Sequence, residues 1–280
     1  MNRITIGSMP RPDYFVQSEI DRLRVNVSFF GTEKKVILLT SSNPNEGKSF
    51  IAINLWNELA KAGKRVVFVD ADMRKSTLRT TLQLSTGDDE FIGLSHYLAG
   101  YAEASDIIYS TDREGVYFIP TSTMINPSLL LDGNRLDILI KGLRKSFDYV
   151  IIDTPPLGIV SDGQMIAGKT DGCILVVRAH ETSRDAVRNS LQQLRQVDCP
   201  LLGVVLNRLE GSRSRGYYTK SYYSSSSNEK KSRRSRENDK WILQEPTEPD
   251  PLPAPDLEEI LSSEFGSETS SDVTSRYEQF

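Results

Sequence analysis

The chain has 280 residues, enough for one large or two small domains, and a formal net charge of −4. Its two cysteines, Cys173 and Cys199, match neither a metal-binding nor a redox spacing, so we expect a reducing compartment. No apolar stretch reaches the roughly 18 residues of a membrane-spanning helix, and the N-terminus has no signal-peptide core. We therefore expect a soluble, cytoplasmic protein that reaches a membrane only through a partner.

In chain order, polar residues 1–12 with two prolines predict a flexible arm, and apolar spacings over residues 13–30 predict an amphipathic helix. An apolar strand over 36–40 leads into a helix over 48–62. The remaining predicted elements continue this alternation: a strand over 65–69, a helix over 92–98, a strand over 116–119, a helix starting at Asn126-Pro127, strands over 149–152 and 173–177, a helix over 182–197 and a strand over 201–206. The alternation predicts an α/β fold with a doubly wound, mostly parallel sheet flanked by helices.

Charge is distributed unevenly and divides the chain into a body and a tail. Residues 212–240 contain nine Lys and Arg against three Asp and Glu, whereas residues 241–280 contain ten acidic residues against one Arg. We interpret residues 13–211 as the folded domain, 212–240 as a basic tail rich in Tyr and Ser, and 241–280 as an acidic, Pro-rich tail. Both tail segments have the composition of disordered chain, although residues 256–261 could form one short helix.

The most informative stretch is residues 34–52, where an apolar strand, a polar turn, Gly47-Lys48-Ser49 and an apolar-periodic helix follow one another. This order is typical of a phosphate-binding loop, in which backbone N–H groups and a helix N-terminus meet a phosphate. The lysine of such a loop neutralises the terminal phosphates, and the serine hydroxyl holds Mg²⁺. Ser42 stands where the usual pattern has its first glycine. The predicted ATP-binding residues of the loop are Ser42, Asn43, Asn45, Glu46, Gly47, Lys48, Ser49 and Phe50.

Further polar residues follow the other predicted strands, at the edge where open parallel sheets bind their ligands. Asp153 ends an apolar run, so it is interpreted as an acid that binds Mg²⁺, with a simple turn cap as the alternative. Of Asp70 and Asp72, one could orient Mg²⁺-bound water while the other accepts a proton, although a solvated acidic turn is the alternative. Asn207 and Arg208 would be placed to contact a nucleotide base.

Four of the eleven tyrosines, Tyr217, Tyr218, Tyr222 and Tyr223, lie within seven residues of the basic tail. Their neighbours are small or polar, so a place in an apolar core is not expected. One interpretation is stacking on single-stranded nucleic acid, because basic residues are interleaved with the rings. The other is phosphorylation: four phosphotyrosines would add about −6 to −8 of charge, enough to cancel or reverse the positive charge of the segment.

Taken together, these motifs resemble those of the bacterial tyrosine kinases (BY-kinases), P-loop NTPase autokinases that regulate capsule and exopolysaccharide synthesis and export. The resemblance extends from about Tyr14 to Tyr223. It depends on the tyrosine cluster and on the motifs in residues 41–49, 66–74, 126–128, 151–156, 160–162 and 203–208.

The resemblance implies ATP- and Mg²⁺-dependent tyrosine phosphorylation, mainly between subunits of a ring, with the four clustered tyrosines as acceptors. It assigns catalytic roles to Lys48, Asp70 and Asp72, and Mg²⁺ ligation to Ser49, Asp70, Asp72 and Asp153. It also implies a membrane-spanning adaptor of the polysaccharide co-polymerase (chain-length) class, a cognate phosphotyrosine phosphatase, protein substrates in the cytoplasm and a location at the inner face of the plasma membrane. Nucleic acid is not expected as a partner.

The sequence departs from the family pattern at two places. The helical oligomerisation signature Glu-x-x-Arg-x-x-Arg is present only as Glu19, Arg22 and Arg24, one residue short, which is about 100° around a helix. In addition, 57 residues follow Tyr223, where the family's tyrosine cluster usually ends the chain. The alternative function is a positioning ATPase of the septum-site or partition class without kinase activity. Asn43 counts against it, because partition relatives carry a second lysine there.

Overall fold

The structure is a computed structural model that describes residues 2–86, 91–124 and 126–209. The tail segments 212–240 and 241–280, with the tyrosine cluster, lie outside the described residues. Their predicted disorder therefore stays a prediction.

An eight-stranded sheet forms the centre of the described domain, and a second sheet has two strands. The strands are β1 (Asn2–Arg3), β2 (Thr5–Ile6), β3 (Val36–Ser41), β4 (Val66–Asp70), β5 (Leu84–Ser85), β6 (Tyr109–Ser110), β7 (Val116–Ile119), β8 (Tyr149–Asp153), β9 (Gly172–Arg178) and β10 (Leu201–Asn207). The large sheet has the order β1-β6-β7-β4-β8-β3-β9-β10, and all its neighbours are parallel except β6 and β7. The small sheet pairs β2 with β5 in antiparallel fashion.

Helices cover both faces of the large sheet. They are α1 (Tyr14–Ser28), α2 (Lys48–Lys61), α3 (Leu78–Thr81), α4 (Leu94–Leu98), α5 (Ala104–Ile107), α6 (Pro127–Leu131), α7 (Asn134–Ser146), α8 (Asp162–Ala167) and α9 (Arg184–Gln196). Alternate residues of a strand face opposite sides, so Leu38 joins one apolar layer with Leu139 of α7, and Leu39 joins the other with Trp56 of α2. The predicted fold class is confirmed. In the described ranges no helix combines the length and apolar character needed to cross a bilayer.

The N-terminal residues differ from the prediction, which gave residues 1–12 as a flexible arm. Residues 2–6 instead add β1 to β6 and β2 to β5, and the Ile4 N–H donates to the Ser110 carbonyl at 2.9 Å. Ile4 is fully buried and Ile6 is 6% exposed, whereas the residues between and before them are exposed. This alternation is the strand pattern, but it spans too few residues to be distinguished from a polar arm by sequence.

Candidate active site

The residues predicted to bind nucleotide lie together at the carboxyl edge of the parallel strands. The phosphate-binding loop, residues 42–47, follows β3, while Asp70 ends β4, Asp153 ends β8 and Asn207 ends β10. Asp70 and Asp153 are direct register partners on neighbouring strands. The Asn207 side-chain amide donates to the backbone carbonyl of Glu46 at 2.8 Å. Four distant parts of the sequence therefore form one polar site.

Lys48, the first residue of α2, lies at the centre of this site. Its Nζ is 3.4 Å from each carboxylate oxygen of Asp153, 3.7 Å from Oδ2 of Asp72 and 3.1 Å from the hydroxyl oxygen of Ser49. The Ser49 hydroxyl donates a 2.6 Å hydrogen bond to Asp153. A lysine ammonium is a compact charge on a flexible stem, so Lys48 can exchange these carboxylates for the phosphates of a nucleotide.

Two of the acids are buried, with Asp70 3% and Asp153 1% exposed. Burial and the nearby charges of Asp153 and Asp72 raise the pKa of Asp70 to about 8. Hydrogen bonds from the Ser76 hydroxyl and the Asp72 N–H lower this pKa but do not outweigh the burial. Burial also raises the pKa of Asp153, while Lys48 and a hydrogen bond from the adjacent serine act in the opposite direction. Both carboxylates are therefore in surroundings that favour an added cation.

The oxygen atoms at this site fit the chemistry of Mg²⁺, which is usually held by one or two carboxylates together with phosphates and water. Ser49 and Asp153 are in contact and supply oxygens of this kind, and Oδ2 of Asp72 lies 3.7 Å from the ammonium of Lys48, which also contacts Asp153. Within residues 2–86, 91–124 and 126–209, no three His, Cys, Asp or Glu side chains form a group that could hold a metal ion. A hydroxyl and carboxylate oxygens are the kinds of ligand that fit Mg²⁺ bound together with the phosphates of a nucleotide. Asp70, also a predicted ligand, contacts Ser76 instead of this pair.

The conformation of the phosphate-binding loop requires a glycine immediately before Lys48. Gly47 has φ of 92°, and a Cβ atom there would lie 2.1 Å from the Asn207 amide nitrogen. Asn45 is also left-handed, with φ of 63°, a conformation that asparagine tolerates. In the part of the chain that the structure describes, no acceptor contacts the backbone N–H groups from Asn45 to Ser49. These donors are available to a phosphate.

Glu46 shapes the loop from inside, a role that the sequence did not predict. Its side chain is 3% exposed, and one carboxylate oxygen accepts the N–H groups of Ser42 at 2.8 Å and Asn43 at 3.1 Å. The other oxygen accepts the hydroxyl of Thr182, which follows β9. The N–H groups of residues 42 and 43 thus donate to Glu46. The structure therefore gives no support to the phosphate contacts that were predicted for these two residues and for the Glu46 side chain.

Ser42 occupies the position at which the usual loop pattern has its first glycine, and its surroundings accept a side chain. Its side chain is 1% exposed and accepts a 2.9 Å hydrogen bond from the hydroxyl of Ser190 in α9. Its backbone is not among the residues with positive φ in the described ranges, so a side chain is sterically acceptable at this position.

Two further ATP-binding predictions involve side chains that have other contacts. Phe50 packs against the apolar layer that contains α2. The Asn207 amide nitrogen donates to Glu46, and its oxygen accepts the Arg208 N–H at 2.9 Å. Asn207 therefore braces the phosphate-binding loop, and a base contact by Asn207 or Arg208 stays a prediction.

The predicted oligomerisation residues lie on α1. Glu19 and Arg22 form an exposed ion pair of 2.9 Å within the helix, and Arg24 is partly buried. Nothing in the single chain tests whether they contact a second subunit, so this role stays a prediction.

The chain matches the family model described as an AAA domain over residues 34–201. The tyrosine-protein kinase CpsD of Streptococcus agalactiae serotype III (strain NEM316) is 37% identical over 191 residues, which cover 68% of this chain and 81% of that protein.

Two solved structures share the fold. The kinase domain of Escherichia coli tyrosine kinase ETK is 29% identical with a TM-score of 0.62, covering 70% of this chain and 78% of that chain. The septum site-determining protein MinD of Pyrococcus horikoshii OT3, complexed with Mg-ADP, is 28% identical with a TM-score of 0.55, covering 63% and 71%. By its domain match, its kinase relatives and the residues at its strand ends, the chain belongs to the bacterial tyrosine-kinase family of P-loop NTPases.

Proposed function

We propose that this protein is an ATP-dependent protein-tyrosine kinase that phosphorylates its own tyrosine cluster, Tyr217, Tyr218, Tyr222 and Tyr223. The observation that supports this most directly is the position of Lys48 between Asp153 and Asp72, beside Ser49. Phosphoryl transfer requires charge neutralisation and positioning more than covalent chemistry. These four side chains supply a cation, a hydroxyl and two acids at the mouth of a phosphate-binding loop.

In this proposal, Lys48 leaves the two carboxylates and pairs with the β- and γ-phosphates, while the free N–H groups of residues 45–49 hold their oxygens. Ser49 and Asp153 would hold Mg²⁺, which when bound would neutralise charge that develops on the transferred group. Of Asp70 and Asp72, one would orient water at the Mg²⁺ site, and the other would accept the proton of the attacking tyrosine hydroxyl. The new bond joins the tyrosine oxygen to the γ-phosphorus, and the bond to ADP breaks.

The position of the chain exit supports the tail as a substrate. β10 ends at Asn207, whose amide contacts the phosphate-binding loop, so the last described strand ends at the site. The eight residue-to-residue steps from Leu209 to Tyr217 can extend to about 28 Å. We propose transfer between subunits of a ring, as in the family that the sequence resembles. Mixing an intact-tailed Lys48→Met chain with an active chain whose four acceptors are Phe tests this: phosphate on the Lys48→Met chain is expected, and its absence would show transfer within one chain.

The test of the kinase assignment is phosphosite mass spectrometry after incubation with ATP and Mg²⁺. Phosphate is expected on residues 217–223 in the wild type and not in Lys48→Met. Lys61→Met is the matched control, because Lys61 lies in the same helix but pairs with Glu58 at the surface. Label confined to Ser and Thr, or label that persists in Lys48→Met, would refute the assignment.

The similarity to MinD favours one alternative, a positioning ATPase whose tail has no part in turnover. Replacing all four clustered tyrosines by Phe distinguishes the two functions. A kinase loses its phosphotyrosine product, whereas a positioning ATPase keeps its ATP turnover and its localisation and never acquires phosphotyrosine.

We further propose a role in capsular or exopolysaccharide synthesis, with a membrane-spanning co-polymerase as activating adaptor and a phosphotyrosine phosphatase that reverses the reaction. The resemblance to the bacterial tyrosine kinases supports these partners. Purification of the tagged chain from membranes, followed by mass spectrometry, is expected to recover a co-polymerase. Recovery of the chain without any membrane protein would count against the adaptor.

A further inference from the structure

Arg74 is paired with a buried acid on another segment of the chain. Its guanidinium forms two hydrogen bonds with Asp162, Nε to Oδ2 at 2.6 Å and Nη2 to Oδ1 at 3.0 Å. The Ser128 hydroxyl completes the group: it accepts from Arg74 Nη2 at 3.3 Å and donates to Asp162 Oδ1 at 2.9 Å. Asp162 is 1% exposed and lies in the first turn of α8, while Ser128 lies in α6. This is a bidentate pair between a guanidinium and a carboxylate, one of the stronger hydrogen-bonded arrangements in proteins.

Asp72, one of the acids at the site, lies two residues before Arg74 in the same loop. Asp162 does most to raise the pKa of Arg74, and the charge of Asp72 acts in the same direction, so the guanidinium is within the field of both acids. One oxygen of Asp72 accepts the Lys75 N–H at 3.0 Å, while the other, among the residues that the structure describes, has only the 3.7 Å contact with Lys48. That second oxygen is open to a guanidinium.

The loop that carries Asp72 has other supports, so Arg74 is not needed merely to hold it. The Ser76 hydroxyl donates to Asp70, and the Lys75 N–H donates to Asp72. Met73 is fully buried, and its carbonyl accepts the Met124 N–H at 2.8 Å. A loop fixed at these points keeps its path when the guanidinium is removed.

We propose that Asp162, with Ser128, is a positioning residue that captures Arg74 and so keeps Asp72 free for the nucleotide. The proposal deepens the kinase assignment above and rests on it, because Asp72 matters only as one of the two acids at the transfer site. The sequence singled out residues 126–128 and 160–162 only as motifs of the family resemblance, and the structure now gives Ser128 and Asp162 a physical task.

The experiment is a set of three variants: Asp162→Asn, Arg74→Met and the double variant, with melting temperature and kcat measured for each. Asp162→Asn releases the guanidinium, and kcat per nucleotide-binding site is expected to fall about tenfold or more, as for small displacements of catalytic groups. KM for ATP should stay near the wild-type value, because the phosphate-binding loop is unchanged. Arg74→Met leaves a buried acid unpaired and lowers stability, but the molecules that fold should keep the wild-type kcat. The double variant should recover most of the kcat that Asp162→Asn loses.

A purely structural ion pair would give a different result. Stability would recover in the double variant in either case, so kcat is the decisive measurement. If Arg74→Met loses as much kcat as Asp162→Asn and the double variant is no faster, the capture of Arg74 is refuted. Unchanged kcat in Asp162→Asn would refute it as well. Asp185→Asn, which breaks an exposed pair with Arg188 of 2.7 Å, is the matched control and should behave as wild type.

Two further measurements complete the design. If Asp162→Asn does not fold, Ser128→Ala removes only the bridging hydroxyl; it should show a smaller loss of kcat that Arg74→Met also recovers, and no loss or no recovery overturns the proposal. ADP release is measured beside phosphotyrosine for every variant. If the wild-type protein releases ADP but forms no phosphotyrosine, the kinase assignment is refuted. The role proposed for Asp162 is still tested in that case, because the loss of kcat in Asp162→Asn and its recovery in the double variant can be measured by ADP release.

Discussion

Replacing Glu46 by Ala tests how the phosphate-binding loop is held in shape. The buried carboxylate accepts the N–H groups of Ser42 and Asn43 and the hydroxyl of Thr182. Alanine leaves these donors without an acceptor, at about 1–3 kcal/mol for each donor that water does not reach. Ser42 is 1% exposed and Asn43 is partly exposed, so water can satisfy the second more easily. We expect the free energy of unfolding to fall by about 3 kcal/mol.

Glu46→Gln separates the charge of this side chain from its shape. The amide keeps one oxygen for the two N–H groups and loses charge assistance, so we expect a loss of about 1 kcal/mol. The measurement is urea unfolding followed by circular dichroism at pH 7 without nucleotide, with the exposed Glu114→Ala as control. ATP affinity should fall more in Glu46→Ala than in Glu46→Gln, because the loop loses more of the contacts that fix its conformation. A Glu46→Ala protein as stable as the control, or one that binds ATP like the wild type, would refute this role.

Three other changes have expected outcomes. Gly47→Ala forces a Cβ to 2.1 Å from the Asn207 amide at φ of 92°, so ATP affinity by calorimetry should fall about tenfold or more. Gly158→Ala brings a Cβ to 2.4 Å from the carbonyl oxygen of Ser42, and urea unfolding should show a loss of about 1–3 kcal/mol. The folded pKa of Asp70, about 8, lies above its unfolded value, so its contribution to stability is complete below about pH 4 and is lost as pH rises through 8, by up to about 1.4 kcal/mol per pH unit. Asp70→Asn without nucleotide should flatten that slope, and an unchanged slope would contradict it.

The sequence predicted the architecture because the relevant signals are local. Apolar runs of four or five residues mark the buried strands, and the polar residue that ends each run falls on the ligand-binding edge whenever the strands are parallel. Asp70 and Asp153 were therefore placed correctly without any knowledge of strand order, and the structure makes them register partners. The two-residue strands β1 and β2 were missed because a single pair of alternating isoleucines is too weak a pattern.

Side-chain direction was the part that sequence could not supply. Glu46 is adjacent to Gly47 and Lys48, and adjacency alone suggested a nucleotide contact; its direction depends on Thr182, 136 residues away. The capture of Arg74 by Asp162 likewise joins residues 88 positions apart. Such contacts are decided by how helices and loops pack around the strand ends, and no short motif encodes them.

Lys48 at the site and Arg74 in the neighbouring loop are held in different ways, as their different tasks require. Arg74 is fixed by a bidentate pair to a fully buried acid, a geometry that only the planar guanidinium provides. Lys48 makes three long contacts of 3.4 to 3.7 Å with two acids, and none of them has ideal hydrogen-bond length. A group held by several weak contacts can leave them for a phosphate at small cost, whereas one held by two short contacts cannot. Exchanging the two residue types would therefore impair the site in both directions. Arg74→Lys would lose the bidentate hold on Asp162 and leave an ammonium free to pair with Asp72, and Lys48→Arg would place a guanidinium that stays bound to Asp153.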